Sequence, residues 1–194
     1  MGIHYLNHTI DINPFKDLFA SIDEKVWYNK ISIQRKENRG EGYGFQVYTL
    51  PLMFDVETVT GTDPSRKADR TEYYDLFYVE EFFDELYSIL KNEIGDGYPT
   101  TINFHLMKPK SKIYPHTDGI SIPATINHRV HVPITTREDI IFKSGNVSLH
   151  MKEGHVYLLD NNKIHSTEND TNDVDRIHLV TDWYTYEPKE NLYT

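Results

Sequence analysis

The chain contains no cysteine among its 194 residues. Disulfide bonds, thiolate zinc sites and cysteine nucleophiles are therefore excluded, and the composition is compatible with a reducing cytoplasm. No apolar run is long enough to cross a bilayer, and residues 1–15 lack the basic and apolar regions of a signal peptide. We therefore expect a cytoplasmic protein that does not have a membrane as a partner.

Basic residues are also scarce, since 20 lysines and arginines stand against 30 acidic residues and give a formal net charge of −10. Such a surface repels the phosphates of nucleic acids, so nucleic-acid binding is not expected. Hydrophobic residues make up 38% of the chain and aromatic residues 13%, which indicates a globular protein. The length predicts a single domain, spanning 1–194, with a core that needs no metal or disulfide support.

The first half of the chain mixes helical and extended patterns. Apolar residues at steps of three and four predict a helix over residues 80–94, with acidic residues in its first turn and Gly95 as a stop. Residues 45–54 are typical of a strand in which Pro51 requires an edge position or an interruption. The polar segment 60–70 is typical of an exposed loop.

From residue 101 onward the pattern is that of strands separated by turns rich in glycine and asparagine. The predicted strands are 102–108, 129–134, 140–143, 147–151, 155–160 and 176–184. Short strands at this spacing are typical of a β-sandwich or barrel. The predicted fold class is therefore α+β and mainly β, with residues 1–100 as a mixed α/β buttress and 101–186 as the barrel core.

The most informative local pattern is His116-Thr117-Asp118, with His165 farther along the chain. Alternate residues of an extended strand point to the same side, so His116 and Asp118 can converge on one metal ion. Two histidines and one carboxylate hold non-haem Fe(II) on one face of an octahedron, and three positions stay open for a co-substrate and O2. The alternative is that all three are ordinary polar loop residues.

Two further segments carry basic side chains beside apolar ones. Arg129 and His131 lie on the same face of a predicted strand, where two cationic groups inside a barrel would be costly without an anion. Arg176 begins the last predicted strand and can form a bidentate pair with a carboxylate. A solvated strand face for the first two residues, and a surface salt bridge for Arg176, remain the alternatives.

Taken in order, these motifs resemble the catalytic domain of the aspartyl/asparaginyl β-hydroxylase family, a branch of the Fe(II)/2-oxoglutarate-dependent oxygenases. The similar stretches lie within residues 105–183 and follow the family's order and approximate spacing. They are Tyr114-Pro115-His116-Thr117, Arg129-Val130-His131, Glu153-Gly154-His155-Val156, Leu159-Asp160, and a last block that runs from His165 through Arg176 and Leu179-Val180 to Asp182-Trp183. Each motif is short, but chance rarely produces the ordered set.

The resemblance implies a double-stranded β-helix, which is a distorted jelly-roll barrel with iron at its open end. His116 and His165 correspond to the family's histidine ligands of iron. Arg176 corresponds to the arginine that pairs with the distal carboxylate of 2-oxoglutarate. The implied reaction is that of a dioxygenase, which uses Fe(II), 2-oxoglutarate and O2 to hydroxylate a C–H bond and releases succinate and CO2.

The same resemblance concerns four further positions. Arg129 and His131 fall on the strand that lines the family's co-substrate and substrate pocket. His105 takes the place of a serine that touches the distal carboxylate in a relative. Asp118 is a departure, because the best-known animal member has glycine there, whereas bacterial proline hydroxylases of the same branch keep the carboxylate. Its presence also argues against a halogenase, which leaves that position to chloride.

The implied substrate is an amino-acid unit, either a free amino acid or a short peptide or protein segment. Proline is the first expectation and aspartate or asparagine the second, because of Asp118. Substrate would be met by the loop between Asp118 and Arg129, which is longer than in the animal enzyme. Three other functions stay open: a cupin-like metal-binding protein, a zinc or manganese hydrolase or isomerase, and a binding module. Arg176 discriminates between an oxygenase and the first two of these, because a dicarboxylate anchor has little purpose without 2-oxoglutarate.

Overall fold

The structure is a computed structural model that describes residues 2–29, 47–54, 68–118 and 127–185, together with 187, 189, 190 and 192. The strands are β1 (Ile3–Thr9), β2 (Tyr48–Phe54), β3 (Asp69–Arg70), β4 (Gly97–Met107), β5 (Ser111–His116), β6 (Asn127–Thr135), β7 (Phe142–Ser144), β8 (Val147–Leu149), β9 (His155–Leu159), β10 (His165–Asn169) and β11 (Arg176–Thr185). The α-helices are α1 (Asn13–Ser21), α2 (Tyr74–Phe77) and α3 (Glu80–Glu93), and a 3-10 helix spans Glu24–Tyr28.

The strands form two antiparallel sheets. The seven-stranded sheet has the order β1-β9-β6-β11-β4-β2-β3, and the four-stranded sheet has the order β5-β10-β7-β8. In the seven-stranded sheet β11 lies between β4 and β6, and its register with both neighbours runs over most of its length. The predicted class, an α+β protein that is mainly β, is confirmed.

One face of the seven-stranded sheet packs against the helices. Val130 and Val132 of β6 and Leu179 of β11 are buried in the same cluster as Phe83 and Leu86 of α3. Helix α3 carries the apolar stripe that the sequence predicted, and it ends one residue before the predicted end. Burying each of these side chains contributes about 1.5–3 kcal/mol, so the helices fix the position of the sheet behind them.

The other face of this sheet is turned towards the four-stranded sheet. Ile3 of β1 and Tyr157 and Leu159 of β9 form a second buried cluster with Phe142 of β7. Because side chains alternate along a strand, the residues of β6 and β11 that point away from the helices point into the space between the sheets. Among these are Arg129, His131, Arg176, His178 and Asp182.

Several elements differ from those that the sequence predicted. Strands β5 and β10 were not predicted, because both are largely polar and carry no apolar alternation. Strand β2 accommodates Pro51 beside an irregularity in its pairing with β4. Part of the predicted loop 60–70 forms β3, at Asp69–Arg70, while residues 60–67 and the start of the predicted strand 45–54 lie outside the described residues.

The N-terminal half contributes directly to the seven-stranded sheet, since β1 pairs with β9 and β2 pairs with β4. The division into a buttress over 1–100 and a barrel over 101–186 stays a prediction. Among the described helices, none is long and apolar enough to cross a membrane.

Candidate metal and co-substrate site

Two neighbouring strands of the four-stranded sheet bring the predicted histidines together. His116 is the last residue of β5, His165 is the first residue of β10, and the two are directly opposite in the antiparallel register. Their ring centroids are 4.3 Å apart. Asp118 follows β5 by two residues, and its backbone N–H donates to the carbonyl oxygen of Asn161 at 3.3 Å.

The three side chains converge on one point. Oδ1 of Asp118 lies 3.4 Å from Nε2 of His116 and 3.7 Å from Nε2 of His165. One potential ligand atom from each residue lies within 4.8 Å of the other two. One carboxylate oxygen and two imidazole nitrogens at these separations fit a facial, three-ligand site for a metal ion such as Fe(II).

Backbone carbonyl groups fix the orientation of both imidazole rings. Nδ1 of His116 lies 2.8 Å from the carbonyl oxygen of Tyr114, and Nδ1 of His165 lies 2.9 Å from that of Lys163. A carbonyl oxygen only accepts, so each Nδ1 carries the proton and each Nε2 keeps its lone pair. Histidine ligands of metals are commonly held by this type of second hydrogen bond.

The charge states of Asp118 and His165 suit a cation. Burial opposes ionisation of Asp118, but Arg129 and the two histidines outweigh it and hold the pKa of that carboxyl well below its ordinary value. Burial lowers the pKa of His165 below 6.5 despite the attraction of Asp118. An ionised carboxylate and neutral imidazoles are the forms that bind metal ions.

Arg129 joins Asp118 to a second aspartate. Nε and Nη2 of Arg129 donate to the two carboxylate oxygens of Asp182, each at 2.8 Å, and Nη1 contacts Oδ2 of Asp118. Asp182 is 4% exposed and also accepts from the Thr101 hydroxyl at 3.3 Å. Asp182 belongs to the last block of the resemblance, which implies no role for it. Its pairing with Arg129 has no signal in sequence spacing.

Arg176, the first residue of β11, is buried in the interior at 3% exposure. Its Nη1 contacts Sδ of Met107 at 3.4 Å, and its Nη2 donates to Nδ1 of His178 at 3.0 Å. Within the described ranges no carboxylate lies within 4 Å of the guanidinium. Burial lowers the pKa of Arg176 to about 9. The surface salt bridge considered above is therefore not observed.

Three histidines lie beside Arg176 on the inner face of the sheet. His131 is 6% exposed, and its ring is 5.6 Å from that of Phe142 and 5.8 Å from that of His178. Neither ring nitrogen of His131 has a partner in the described part of the chain. His105 of β4 is directly opposite His178 in the register. His131 thus lies on a buried face, not on a solvated one.

The tautomer of His178 follows from its contact with Arg176. A guanidinium only donates, so Nδ1 of His178 accepts and its Nε2 carries the proton. This Nε2–H is buried and has no partner among the described residues. Burial, followed by the charge of Arg176, lowers the pKa of both His131 and His178 well below 6.5. The interior therefore presents neutral donors beside one cation.

Phe142 of β7 lies between the arginine and the triad. The centre of its ring is 6.0 Å from the guanidinium carbon of Arg176 and 6.1 Å from the His165 ring. The guanidinium of Arg176 and the candidate metal ligands therefore face the same interior. The segment 119–126, where substrate was predicted to be met, lies outside the described residues.

Comparison with known proteins agrees with this arrangement. The family described as aspartyl/asparaginyl beta-hydroxylase matches residues 79–185, which is more than half of the chain. No curated protein sequence matches.

Solved structures share the fold at low identity. An oxidoreductase of the 2OG-Fe(II) oxygenase family from Burkholderia pseudomallei is 12% identical with a TM-score of 0.54, covering 91% of this chain and 79% of its own. The viral collagen prolyl hydroxylase of Paramecium Bursaria Chlorella virus-1, in complex with 2OG, is 11% identical with a TM-score of 0.52, covering 95% and 97%. AviO1 from Streptomyces viridochromogenes Tue57 is 11% identical with a TM-score of 0.55, covering 97% and 91%. These likenesses support the predicted jelly-roll barrel.

Proposed function

The chain belongs to the aspartyl/asparaginyl β-hydroxylase family, and we propose on this basis that it is an Fe(II)- and 2-oxoglutarate-dependent dioxygenase. In this proposal His116, Asp118 and His165 hold the metal, and Arg176 binds the distal carboxylate of 2-oxoglutarate. The product is an amino-acid unit hydroxylated at a C–H bond.

The observation that carries the proposal is the environment of Arg176. A buried guanidinium without a carboxylate partner is costly, because its charge has been removed from water without compensation. The described residues supply no such carboxylate, yet the triad lies in the same interior. A co-substrate with a keto acid at one end and a carboxylate at the other meets both requirements. A metal-binding protein without 2-oxoglutarate leaves the buried charge unexplained.

Each side chain has a distinct task in this proposal. His116 and His165 present Nε2 lone pairs, since their Nδ1–H groups are held by backbone carbonyls. Arg176 orients the co-substrate through paired, charge-assisted hydrogen bonds. Phe142 and Met107 keep water away from that pair. When bound, the metal and 2-oxoglutarate supply the oxidising chemistry, which consumes O2 and yields succinate and CO2.

The remaining inner residues provide hydrogen bonds to the co-substrate pocket. The Nε2–H of His178 and the ring of His131 are buried, neutral and without partners in the described chain. Both can therefore contact a bound carboxylate without adding charge. His105, opposite His178, completes the same wall. No general base is required in the proposed reaction.

For the substrate we propose a free amino acid or a short peptide or protein segment, with proline first and aspartate or asparagine second. The family's description supports an amino-acid unit. The carboxylate of Asp118 supports proline, because the proline hydroxylases that the sequence resembles retain it. The net charge of −10 disfavours nucleic acid as a partner.

The test combines metal binding with turnover. With Fe(II) and 2-oxoglutarate, the protein should consume O2 and form succinate in the presence of the correct amino acid or peptide, which should gain one oxygen by mass spectrometry. His116→Ala and His165→Ala should lose both metal and turnover, and Asp118→Ala should be severe but less complete. His8→Ala, a half-exposed histidine paired with Glu93, is the control. Metal retained by His116→Ala, or hydroxylation confined to nucleobases, lipids or sugars, would contradict the proposal.

A further inference from the structure

The carboxylate of Asp118 has two differently engaged oxygens. Oδ1 faces the Nε2 atoms of His116 and His165, as described above. Oδ2 contacts Nη1 of Arg129. A metal ion at the convergence point would therefore meet one oxygen of this carboxylate, while the other is already occupied by the protein.

Arg129 is itself held in place by Asp182. The two residues are directly opposite on β6 and β11. Two parallel N–H···O bonds of 2.8 Å join them. Such a fork-to-fork pair fixes the plane of the guanidinium as well as its distance. Asp182 is in turn buried and anchored by the Thr101 hydroxyl. The chain of contacts thus runs from the centre of the seven-stranded sheet to the metal ligand.

The charges in this chain of contacts are also matched. One guanidinium lies between two carboxylates, so one negative charge remains for a cation at the triad. Three of the five N–H groups of Arg129 are used by Asp118 and Asp182. The resemblance placed Arg129 on the strand that lines the co-substrate and substrate pocket. In the structure it meets carboxylates of the protein.

We propose that Asp182 and Arg129 are positioning residues that hold Asp118 as a one-oxygen metal ligand. Asp182 acts through Arg129 and touches neither metal nor substrate. This inference rests on the proposed metal site and adds to it a second layer that sets metal affinity. This positioning role distinguishes the chain from relatives that have glycine at the position of Asp118, because those relatives have no ligand carboxylate there for an arginine to hold.

The test measures metal affinity without turnover. Ni(II) is titrated into the metal-free full chain by calorimetry, in the absence of 2-oxoglutarate and substrate, for wild type, Asp182→Asn and Arg129→Lys. Loss of a residue that orients a metal ligand typically weakens affinity by about 10–100-fold. We expect a loss in that range for both variants, together with a changed visible spectrum of the Co(II)-loaded protein, which reports ligand geometry.

The exposed pair of Arg137 and Asp139 offers a matched control. The Nε and Nη2 atoms of Arg137 donate to the two oxygens of Asp139 at 2.8 Å, as in the buried pair, but both side chains are exposed. Asp139→Asn should leave the Ni(II) affinity and the Co(II) spectrum as in wild type. Thermal melting of each variant establishes that it is folded. If Asp182→Asn does not fold, Arg129→Lys, which keeps the positive charge between the two aspartates, decides the question.

The possible results separate the two proposals. Wild-type Ni(II) affinity and an unchanged Co(II) spectrum in the folded variants would overturn the positioning role alone. A raised KM for substrate in Arg129→Lys, with metal affinity intact, would overturn it too and assign Arg129 to substrate. A wild-type protein that binds no Ni(II), or His116→Ala that binds it as wild type does, would overturn the metal site and the positioning role together.

Discussion

Replacing Arg176 by methionine should stabilise the metal-free protein while removing most of its affinity for 2-oxoglutarate. The wild-type guanidinium is 3% exposed and has no carboxylate partner among the described residues. Burial lowers its pKa from 12.5 to about 9. At about 1.4 kcal/mol per pKa unit, the folded protein carries a penalty of roughly 5 kcal/mol at neutral pH, where the group is charged in both folded and unfolded states.

Methionine removes this charge and fits the existing surroundings. The side chain would lie against Met107 and Phe142, which already contact the guanidinium. Replacing buried ionic groups by well-packed apolar residues stabilises proteins by about 1–4 kcal/mol in favourable cases. We therefore expect a higher free energy of unfolding for Arg176→Met than for wild type, in urea denaturation at neutral pH without ligands.

The effect on co-substrate binding should have the opposite sign. Without Arg176 the distal carboxylate of 2-oxoglutarate would be buried without a cationic partner, which costs about 3–5 kcal/mol. This corresponds to a loss of affinity between about a hundredfold and a few thousandfold. Calorimetric titration of 2-oxoglutarate into the Ni(II)-loaded protein measures it, and the metal affinity itself should stay close to that of wild type.

Arg137→Met is the control, because Arg137 is exposed and paired with Asp139 and Asp173. It should bind 2-oxoglutarate as wild type does. An Arg176→Met protein that binds 2-oxoglutarate within threefold of wild type would refute the assignment of the anchor. A marked loss of stability in the ligand-free variant would refute the argument from the uncompensated charge.

Two further predictions concern the metal-free fold. Acidification below pH 6.5 should lower the free energy of unfolding. His131 and His178 have pKa values well below 6.5 in the folded protein, so the unfolded chain takes up protons that the folded chain does not. Each histidine contributes about 1.4 kcal/mol per pH unit to the dependence of the free energy of unfolding on pH. Urea titrations at several pH values should show a weaker pH dependence for His178→Leu than for wild type, and an identical dependence would contradict this. Gly97→Ala should lower the melting temperature by several degrees, since an added Cβ would lie 1.8 Å from the carbonyl oxygen of Tyr184 and overpacking costs about 1–3 kcal/mol. A wild-type melting curve by circular dichroism would show that the backbone adjusts freely.

The sequence was sufficient to predict the parts of the molecule in which the pattern is local. The helical stripe of α3 and the alternation of β6, β9 and β11 are visible within single segments, and the structure has these elements close to the predicted bounds. His116 and Asp118 also converge, but Asp118 lies two residues beyond the end of β5 and not on the strand that the spacing argument assumed. Strands β5 and β10 could not be predicted in this way, because their residues are largely polar. Their extended conformation depends on the pairing of β5 with β10 and of β10 with β7.

The contacts around the site could be predicted less well from the sequence. The contact of Arg129 with Asp182 joins residues on different strands, and only the register of β6 against β11 brings them opposite each other. The contact of Arg176 with His178 depends on alternate residues of β11 facing the interior, and the local sequence does not mark this histidine as a partner of Arg176. Roles that depend on cross-strand neighbours require the topology, which composition and spacing do not provide.

The position of the histidines at facing ends of β5 and β10 has a consequence for the cohesion of the four-stranded sheet. An ion held by His116 and His165 is a cross-link between two paired strands that bury little apolar surface of their own. Binding confined to the folded state adds about 2.7 kcal/mol of stability at a metal concentration one hundred times Kd. The added stability should act mainly on the pairing of β5 with β10. The amide protons of these two strands should therefore exchange more slowly once the ion is bound, while the exchange rates in β4 and β11 should change little. An ion bound at this candidate site would therefore be coupled to the pairing of β5 with β10.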